Sequence, residues 1–184
     1  MSARDMQEVA GSSRPSDGLL YSKSGGKRPV SHPPMADPAD FDHRVRAAIY
    51  RWFVERTESP AVRDLAGVLG ETPEAIRDAY DRLFRKRVLF LEPDGETIRM
   101  APPFSGVPTQ HRVRAGGREY FANCSWDSLG IPAALHAPAE VFSRCEQTLE
   151  PIHLTVGPDG PAAERVVAHF AVPAAKWWAD LVYT

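Results

Sequence analysis

Cysteine is scarce in this sequence, since only Cys124 and Cys145 occur among its 184 residues. Two thiols do not make a disulfide framework, and the Cys-x-x-Cys pair of a zinc knuckle is missing. Also missing are the apolar stretch of a signal peptide and any apolar run near the roughly 20 residues that span a bilayer. These absences predict a protein of a reduced, bacterial-type cytoplasm without a membrane partner.

A large net charge is missing as well. The chain has 22 Lys and Arg against 24 Asp and Glu, a net charge of −2, which argues against a surface that seeks nucleic acid. There is no Gly-x-Gly-x-x-Gly, no phosphate loop and no nucleophile elbow. The six histidines are scattered without a ligand pair at helical spacing, so we expect none to be catalytic. A hydrophobic content of 43% is enough for the core of one ordinary domain or two small ones.

The first 38 residues are rich in Ser, Gly, Pro, Lys and Arg and contain almost no large apolar side chains. Such a segment cannot bury enough surface to offset the conformational entropy that ordering would cost. Residues 1–38 are therefore predicted to be a disordered tail.

Residues 39–104 show the pattern of a winged helix-turn-helix-like domain. Apolar residues at helical spacing begin near Phe41, and Ser59-Pro60 and Thr72-Pro73 are start signals for a second and a third helix. A hairpin is predicted over 88–100. Acidic residues interrupt the basic residues of the third helix, so we expect at most weak binding to DNA. The basic residues are Arg77, Arg82, Arg85, Lys86 and Arg87.

Residues 105–184 are predicted to form a mixed α/β domain, so the overall class is α+β. A proline-rich linker should cover 101–108, and Gly130 and Pro132 should kink or split a helix over 125–135. Trp177 and Trp178 should lie on a final helix, one buried and one covering an edge. The other predicted elements are a hairpin over 112–123, strands at 141–142, 152–156 and 165–170, and that last helix at 173–180.

Cys124 lies where an apolar stretch ends and a helical pattern begins. There, the helix dipole should lower the pKa of the thiol, and Asp127 would offer a carboxyl group on the same first turn. A thiolate binds soft metals and a carboxyl group can donate a proton, so the pair suits chemistry on a soft metal. The alternative is a small buried Cys124 and an Asp127 that only stabilises the helix start. The spacing by itself favours this second interpretation.

The segment 118–135, Arg-Glu-Tyr-Phe-Ala-Asn-Cys-Ser-Trp-Asp-Ser-Leu-Gly-Ile-Pro-Ala-Ala-Leu, resembles the core of the alkylmercury (organomercurial) lyase family. The resemblance extends upstream through Ala-Pro-Pro-Phe-Ser-Gly-Val-Pro at 101–108 into the winged-helix pattern. Downstream it includes Pro-Ile-His-Leu-Thr-Val at 151–156 and the segment 169–180. It therefore covers essentially all of the chain from Phe41 onward.

The resemblance implies an enzyme that cleaves carbon–mercury bonds by protonolysis, giving a hydrocarbon and Hg(II). In that family two cysteine thiolates capture mercury and an aspartate handles the proton. Cys124 matches the first of these cysteines and Asp127 matches the aspartate, whereas Cys145 resembles a third cysteine outside the reacting pair. The resemblance implies no organic cofactor. It implies an organomercurial substrate, cellular thiols that remove Hg(II), and mercuric reductase as the recipient.

The second catalytic cysteine of the family would be expected just after Thr184, where the sequence ends. The catalytic domain is therefore expected to be incomplete and its activity impaired. A truncated chain, a degenerate paralogue, or replacement of the missing thiol by Cys145 or an external thiol are the open explanations. The hypothesis from another class is a non-catalytic metal-sensing or DNA-binding winged-helix regulator.

Overall fold

The structure is a computed structural model that describes residues 37–162, 166–170 and 172–179. Most of the predicted tail, residues 1–38, lies outside the described residues. Its last two residues, Asp37 and Pro38, belong to the start of the first helix.

Helix α1 covers Pro38–Arg56. It begins at Pro38 rather than near Phe41, because the side chain of Asp37 accepts a hydrogen bond of 2.9 Å from the backbone N–H of Ala39 and a proline suits the first turn. The buried face of α1 carries the predicted apolar residues, among them Ile49 and Phe53.

Helices α2 and α3 cover Val62–Leu69 and Pro73–Arg85. The predicted start of α2 at Ser59-Pro60 is wrong: Ala61 is the N-cap, and its backbone N–H donates to Asp64 Oδ2 at 3.1 Å. The start of α2 is therefore stabilised by the carboxylate of Asp64 in the first turn and not by a side chain at the N-cap. The predicted start of α3 is confirmed, since Thr72 accepts a hydrogen bond from the N–H of Ala75 at 3.2 Å.

Eight strands in the described residues form one sheet in the order β1-β2-β3-β5-β4-β6-β7-β8, with every neighbouring pair antiparallel. Two of its connections are the predicted hairpins, β1–β2 and β4–β5, and the second turns tightly through Gly116 and Gly117, both with positive φ. The strands are Phe90–Leu91, Ile98–Ala101, Phe104–Ser105, His111–Ala115, Arg118–Ala122, Ala139–Arg144, Pro151–Gly157 and Gly160–Pro161.

Two predictions for the C-terminal half are wrong. The proline-rich segment 101–108 is not a simple linker, because Phe104–Ser105 pairs with β2 and β5 as strand β3. The predicted strand at 165–170 is irregular over its described residues, 166–170. The predicted final helix is present, and over Ala174–Ala179 it is a 3-10 helix.

Helix α4 covers Ser125–Leu135 without the predicted split, although Pro132 lies inside it. It packs against β4, β5 and β6 and buries Ile131 completely. Gly130 has a packing role in this helix, since a Cβ there would lie 3.0 Å from Cβ of Pro103. The glycine therefore lets α4 approach the chain that leads into β3.

The buried ring of Phe104 joins α1 to the sheet. It stacks on Phe53 with centroids 5.5 Å apart and contacts Tyr120 at 5.6 Å. The hydroxyl of Tyr120 donates to the carbonyl of Val54 at 3.0 Å. The sheet and its core run through residues 104 and 105, where the sequence predicts a domain boundary, and that boundary stays a prediction.

Candidate active site

Cys124 lies between the last residue of β5 and the first residue of α4. Its backbone is extended, with φ −146° and ψ 177°, and it is the N-cap of α4. The Sγ atom accepts the backbone N–H of Asp127 at 3.5 Å, in the place where a serine or aspartate oxygen commonly caps a helix. The predicted position of the thiol at a helix start is therefore confirmed.

The side chains of Cys124 and Asp127 contact each other directly. The thiol lies 3.6 Å from Oδ2 of Asp127 and donates its hydrogen bond to that oxygen. Both residues are only partly exposed. The structure thus brings together a soft ligand and a proton-carrying group, as the sequence predicts.

Asn123 is a member of this site that the sequence analysis missed. Its Nδ2 donates to Asp127 Oδ2 at 3.3 Å and to the backbone carbonyl of Phe104 at 3.3 Å. A signal was available, because Asn123 is the only asparagine in the chain and stands directly before the thiol. Interpreting it required knowledge that β3 lies beside β5, which the sequence does not show.

The predicted acidity of Cys124 is wrong in direction. Burial raises the pKa of its thiol, and the charge of Asp127 raises it further. The backbone N–H groups of Asp127 and Trp126 lower this pKa, but their effect is smaller than that of burial. The helix start therefore supplies the donors that the sequence predicts, and desolvation together with a neighbouring carboxylate outweighs them.

Asp127 is also shifted toward its neutral form. Burial raises the pKa of its carboxyl group, while the hydrogen bonds from Asn123 and Cys124 lower it. A carboxylic acid that holds its proton above the ordinary range is suited to deliver that proton to a substrate.

Cys145 lies outside this pair, in the connection between β6 and β7. Its backbone N–H donates to the carbonyl of Glu150 at 2.9 Å, and its carbonyl accepts from the N–H of Leu149 at 2.8 Å. Hydrogen bonds from Thr148 and from the backbone at Gln147 lower the pKa of its thiol. These contacts all belong to its own turn.

An aromatic cluster begins at Trp126, which lies on the same helical turn as Asp127. The ring of Trp126, which is 55% exposed, meets that of Phe170 at 6.1 Å, and Phe170 meets Trp177 at 5.1 Å. The indole N–H of Trp177 donates to the carbonyl of Val172 at 2.9 Å. Trp177 is therefore partly buried, and the side chain of Trp178 lies outside the described residues.

Two features are absent from the part of the chain that the structure describes. Among the described residues, no three side chains of His, Cys, Asp or Glu converge as a resident metal ion would require. None of the described helices combines the length and apolar composition needed to cross a membrane.

The fold and the site together define a class: an α+β protein whose sheet and helix start present a half-buried thiol in contact with a carboxylic acid. That donor set suits a soft metal as substrate. The sequence model of the alkylmercury lyase family matches residues 104–184, which include the site and β3 to β8.

Relatives of known name point to the same family. The chain is similar to the alkylmercury lyase of Streptomyces lividans, with 34% identity over 102 residues, 53% of this chain and 43% of that one. The alkylmercury lyase of Bacillus cereus is 28% identical over 102 residues, 55% of this chain and 44% of that one. The chain thus matches less than half the length of these curated relatives. Residues 104–184 belong to the alkylmercury lyase family.

A solved structure has the same fold. The crystal structure of the mercury-bound form of MerB2 matches with a TM-score of 0.52 and 24% identity, covering 68% of this chain and 66% of that one. The mixed α+β architecture with its antiparallel sheet is therefore that of a known structure.

Proposed function

We propose that this chain is an organomercurial lyase-type protein that cleaves carbon–mercury bonds by protonolysis. The observation that carries the proposal is the contact of 3.6 Å between the Cys124 thiol and Asp127 Oδ2. It supplies a mercury ligand and a proton acceptor within one turn of helix. The family of residues 104–184 and the names of the relatives support the same substrate.

The first step captures the organomercurial as its complex with a cellular thiol. The Cys124 sulfur forms a bond to mercury, the external thiolate leaves, and the Cys124 proton passes to Asp127 Oδ2. The raised pKa of the Cys124 thiol keeps this proton on the sulfur until mercury arrives. Asp127 holds it afterwards, because burial also raises the pKa of the carboxyl group.

The second step breaks the carbon–mercury bond. Asp127 donates its proton to the carbon atom, which keeps the electron pair of that bond and leaves as a hydrocarbon. Mercury stays Hg(II), bound to Cys124 and to the returning external thiolate. A second external thiol then displaces Cys124 and restores its proton, so one organomercurial and one thiol give one hydrocarbon and one dithiolate complex of Hg(II).

The external thiol has a definite role in this scheme. Mercury prefers soft thiolate ligands, and Cys145 makes its contacts within its own turn. We therefore assign the second thiolate to a cellular thiol, with mercuric reductase as a recipient of the product. A cytoplasmic location stays a prediction.

We also propose that α1 to α3 and the β1–β2 hairpin form a winged-helix-like cover for the catalytic part. Support comes from their order along the chain and from the contacts of Phe53 and Tyr50, the latter through a hydrogen bond of 2.8 Å to the carbonyl of Pro102. The basic residues of α3 do not favour the DNA-binding alternative, because four of them pair with carboxylates within the protein. These pairs are Arg77 with Glu74 and Glu96, Arg82 and Lys86 with Asp42, and Arg85 with Asp81.

The test is direct measurement of the hydrocarbon. The protein is incubated with phenylmercury or methylmercury and excess thiol, and benzene or methane in the headspace is quantified by gas chromatography. We expect release that depends on protein concentration and is lost in Asp127→Asn. Release no faster than in thiol alone would refute the proposed function.

A further inference from the structure

Asn123 connects the reacting carboxyl group to the buried core. One amide nitrogen donates both to Asp127 Oδ2 and to the carbonyl of Phe104, each at 3.3 Å. The chemistry fixes the orientation of this amide, because both partners are acceptors and only the NH2 group can serve them. The contact therefore orders the side chain of Asn123 as well as that of Asp127.

The anchor at Phe104 is buried in the core. Phe104 is 2% exposed, stacks on Phe53 and contacts Tyr120. Its backbone belongs to β3, where it is the register partner of Ala122, the residue before Asn123. A packed core thus determines where the amide of Asn123 stands.

The same carboxylate oxygen, Oδ2, accepts from both Asn123 and Cys124. A carboxylate oxygen with two donors is held in one rotamer, whereas a carboxyl group with one weak thiol donor could turn away. The N–H of Asp127 is bound to the sulfur at the same time, so the three residues form a closed set of contacts.

We propose that Asn123 is a positioning residue of this site: its amide holds Asp127 Oδ2 against the Cys124 thiol by tying it to the Phe104 carbonyl. The inference rests on the proposed function for its catalytic consequence, which is proton transfer from sulfur to Oδ2 in a fixed geometry.

The sequence offers a probe of this contact that does not depend on activity. Because Asn123 is the only asparagine, protein labelled with side-chain 15N-asparagine has a single pair of side-chain NH2 signals. We expect these signals to shift with the ionisation of Asp127, at a pH below that at which the Cys124 thiol ionises, and to lose this shift in Asp127→Ala. Signals that do not move with pH, or that move equally in Asp127→Ala, would overturn the inference.

Variants then test the catalytic consequence. We expect Asn123→Ala to lower kcat by about tenfold, the order seen when a supporting hydrogen bond of a ligating group is lost. It should also move the acid limb of the pH–rate profile to higher pH, because Asp127 loses a donor that stabilises its charge. Asn123→Asp should move that limb further, since it adds a negative charge beside Asp127.

Ser128→Ala is the matched control. Ser128 is as buried as any residue of the site, but its hydroxyl donates within α4 to the carbonyl of Ser125. We expect it to leave the acid limb in place, and an Asn123→Ala profile identical to this control would refute the positioning role. If the parent protein releases no hydrocarbon, the proposed function fails, and the NMR titration still decides whether Asn123 holds Asp127.

Discussion

Cys124 and Cys145 occupy similar local settings and differ in chemistry. Each follows a strand, β5 or β6, and each has backbone N–H groups near its sulfur. The pKa of the Cys145 thiol is lowered, because hydrogen bonds from Thr148 dominate at an open turn. The pKa of the Cys124 thiol is raised, because burial dominates and Asp127 adds its charge. Hydrogen-bond donors therefore set the direction of the pKa shift at Cys145, whereas at Cys124 burial and the charge of Asp127 outweigh them.

This difference gives the two thiols different uses. A thiolate that exists before substrate arrives has no proton to give. The raised pKa of the Cys124 thiol favours the protonated form, and its sulfur lies 3.6 Å from Asp127 Oδ2, the atom that the mechanism needs to protonate. In the proposed reaction the proton that ends on the hydrocarbon therefore starts on sulfur.

The largest expected effect comes from replacing each thiol by a hydroxyl group, which tests the difference between Cys124 and Cys145. Cys124→Ser should lower hydrocarbon release by at least about 1,000-fold, because the soft ligand and the proton source are both lost. Cys145→Ser, the matched control, should stay within about threefold of the parent, since its contacts lie in its own turn. Headspace gas chromatography measures both, and equal losses in the two variants would remove the distinction between the cysteines.

Removal of the carboxyl group separates capture from cleavage. Asp127→Asn keeps Cys124 and should still bind phenylmercury, seen as an added phenylmercury mass on the intact protein. Benzene release should fall by about 100-fold to 10,000-fold, the usual contribution of a positioned acid–base group. An Asp127→Asn protein that neither binds nor cleaves would show instead that Asp127 is required for capture.

The pH dependence of alkylation compares the two thiols directly. With iodoacetamide and peptide mass spectrometry, Cys145 should begin to react at lower pH than Cys124, because only the thiolate reacts and the two pKa values move in opposite directions. Asp127→Asn should move the Cys124 curve to lower pH by removing the negative charge beside it. A Cys124 curve at or below that of Cys145 in the parent protein would contradict the burial argument.

The smallest expected effect is on stability. Since burial raises the pKa of Asp127, the folded protein holds this proton more tightly than the unfolded chain does. Stability due to this group is therefore present below the ordinary carboxyl pKa and is lost as the pH rises through the raised value. Asp127→Asn should be more stable than the parent at neutral pH by about 1 kcal/mol, the typical cost of a functional group. Urea unfolding at neutral and acidic pH measures this, and a difference that does not shrink in acid would contradict it.

The pair Cys124–Asp127 and the elements on either side of it could be predicted from the sequence. Capping signals and apolar spacing are local, so the starts of α3 and α4 and the two hairpins could be predicted. The errors fell where a tertiary contact overrides the local signal. Prolines suggested a linker, yet Phe104 packs into the core as part of β3. Gly130 and Pro132 suggested a kink or a split, but α4 is continuous over Ser125–Leu135, and Gly130 lets it approach Pro103.

The chemistry of the site depends on both the sequence and the tertiary structure. The sequence alone determined which residues are available: a single asparagine, a thiol and a carboxyl group within five positions, in a segment that resembles one family. Only the tertiary structure decided that β3 lies beside β5, so that the Phe104 carbonyl reaches Asn123, and that Cys124 is half-buried against Asp127. The physical reason is that the N-terminus of a helix acts on the thiol through hydrogen bonds from neighbouring residues, and the spacing of residues along the sequence reveals these. Desolvation and proximity between strands arise only when distant parts of the chain pack together.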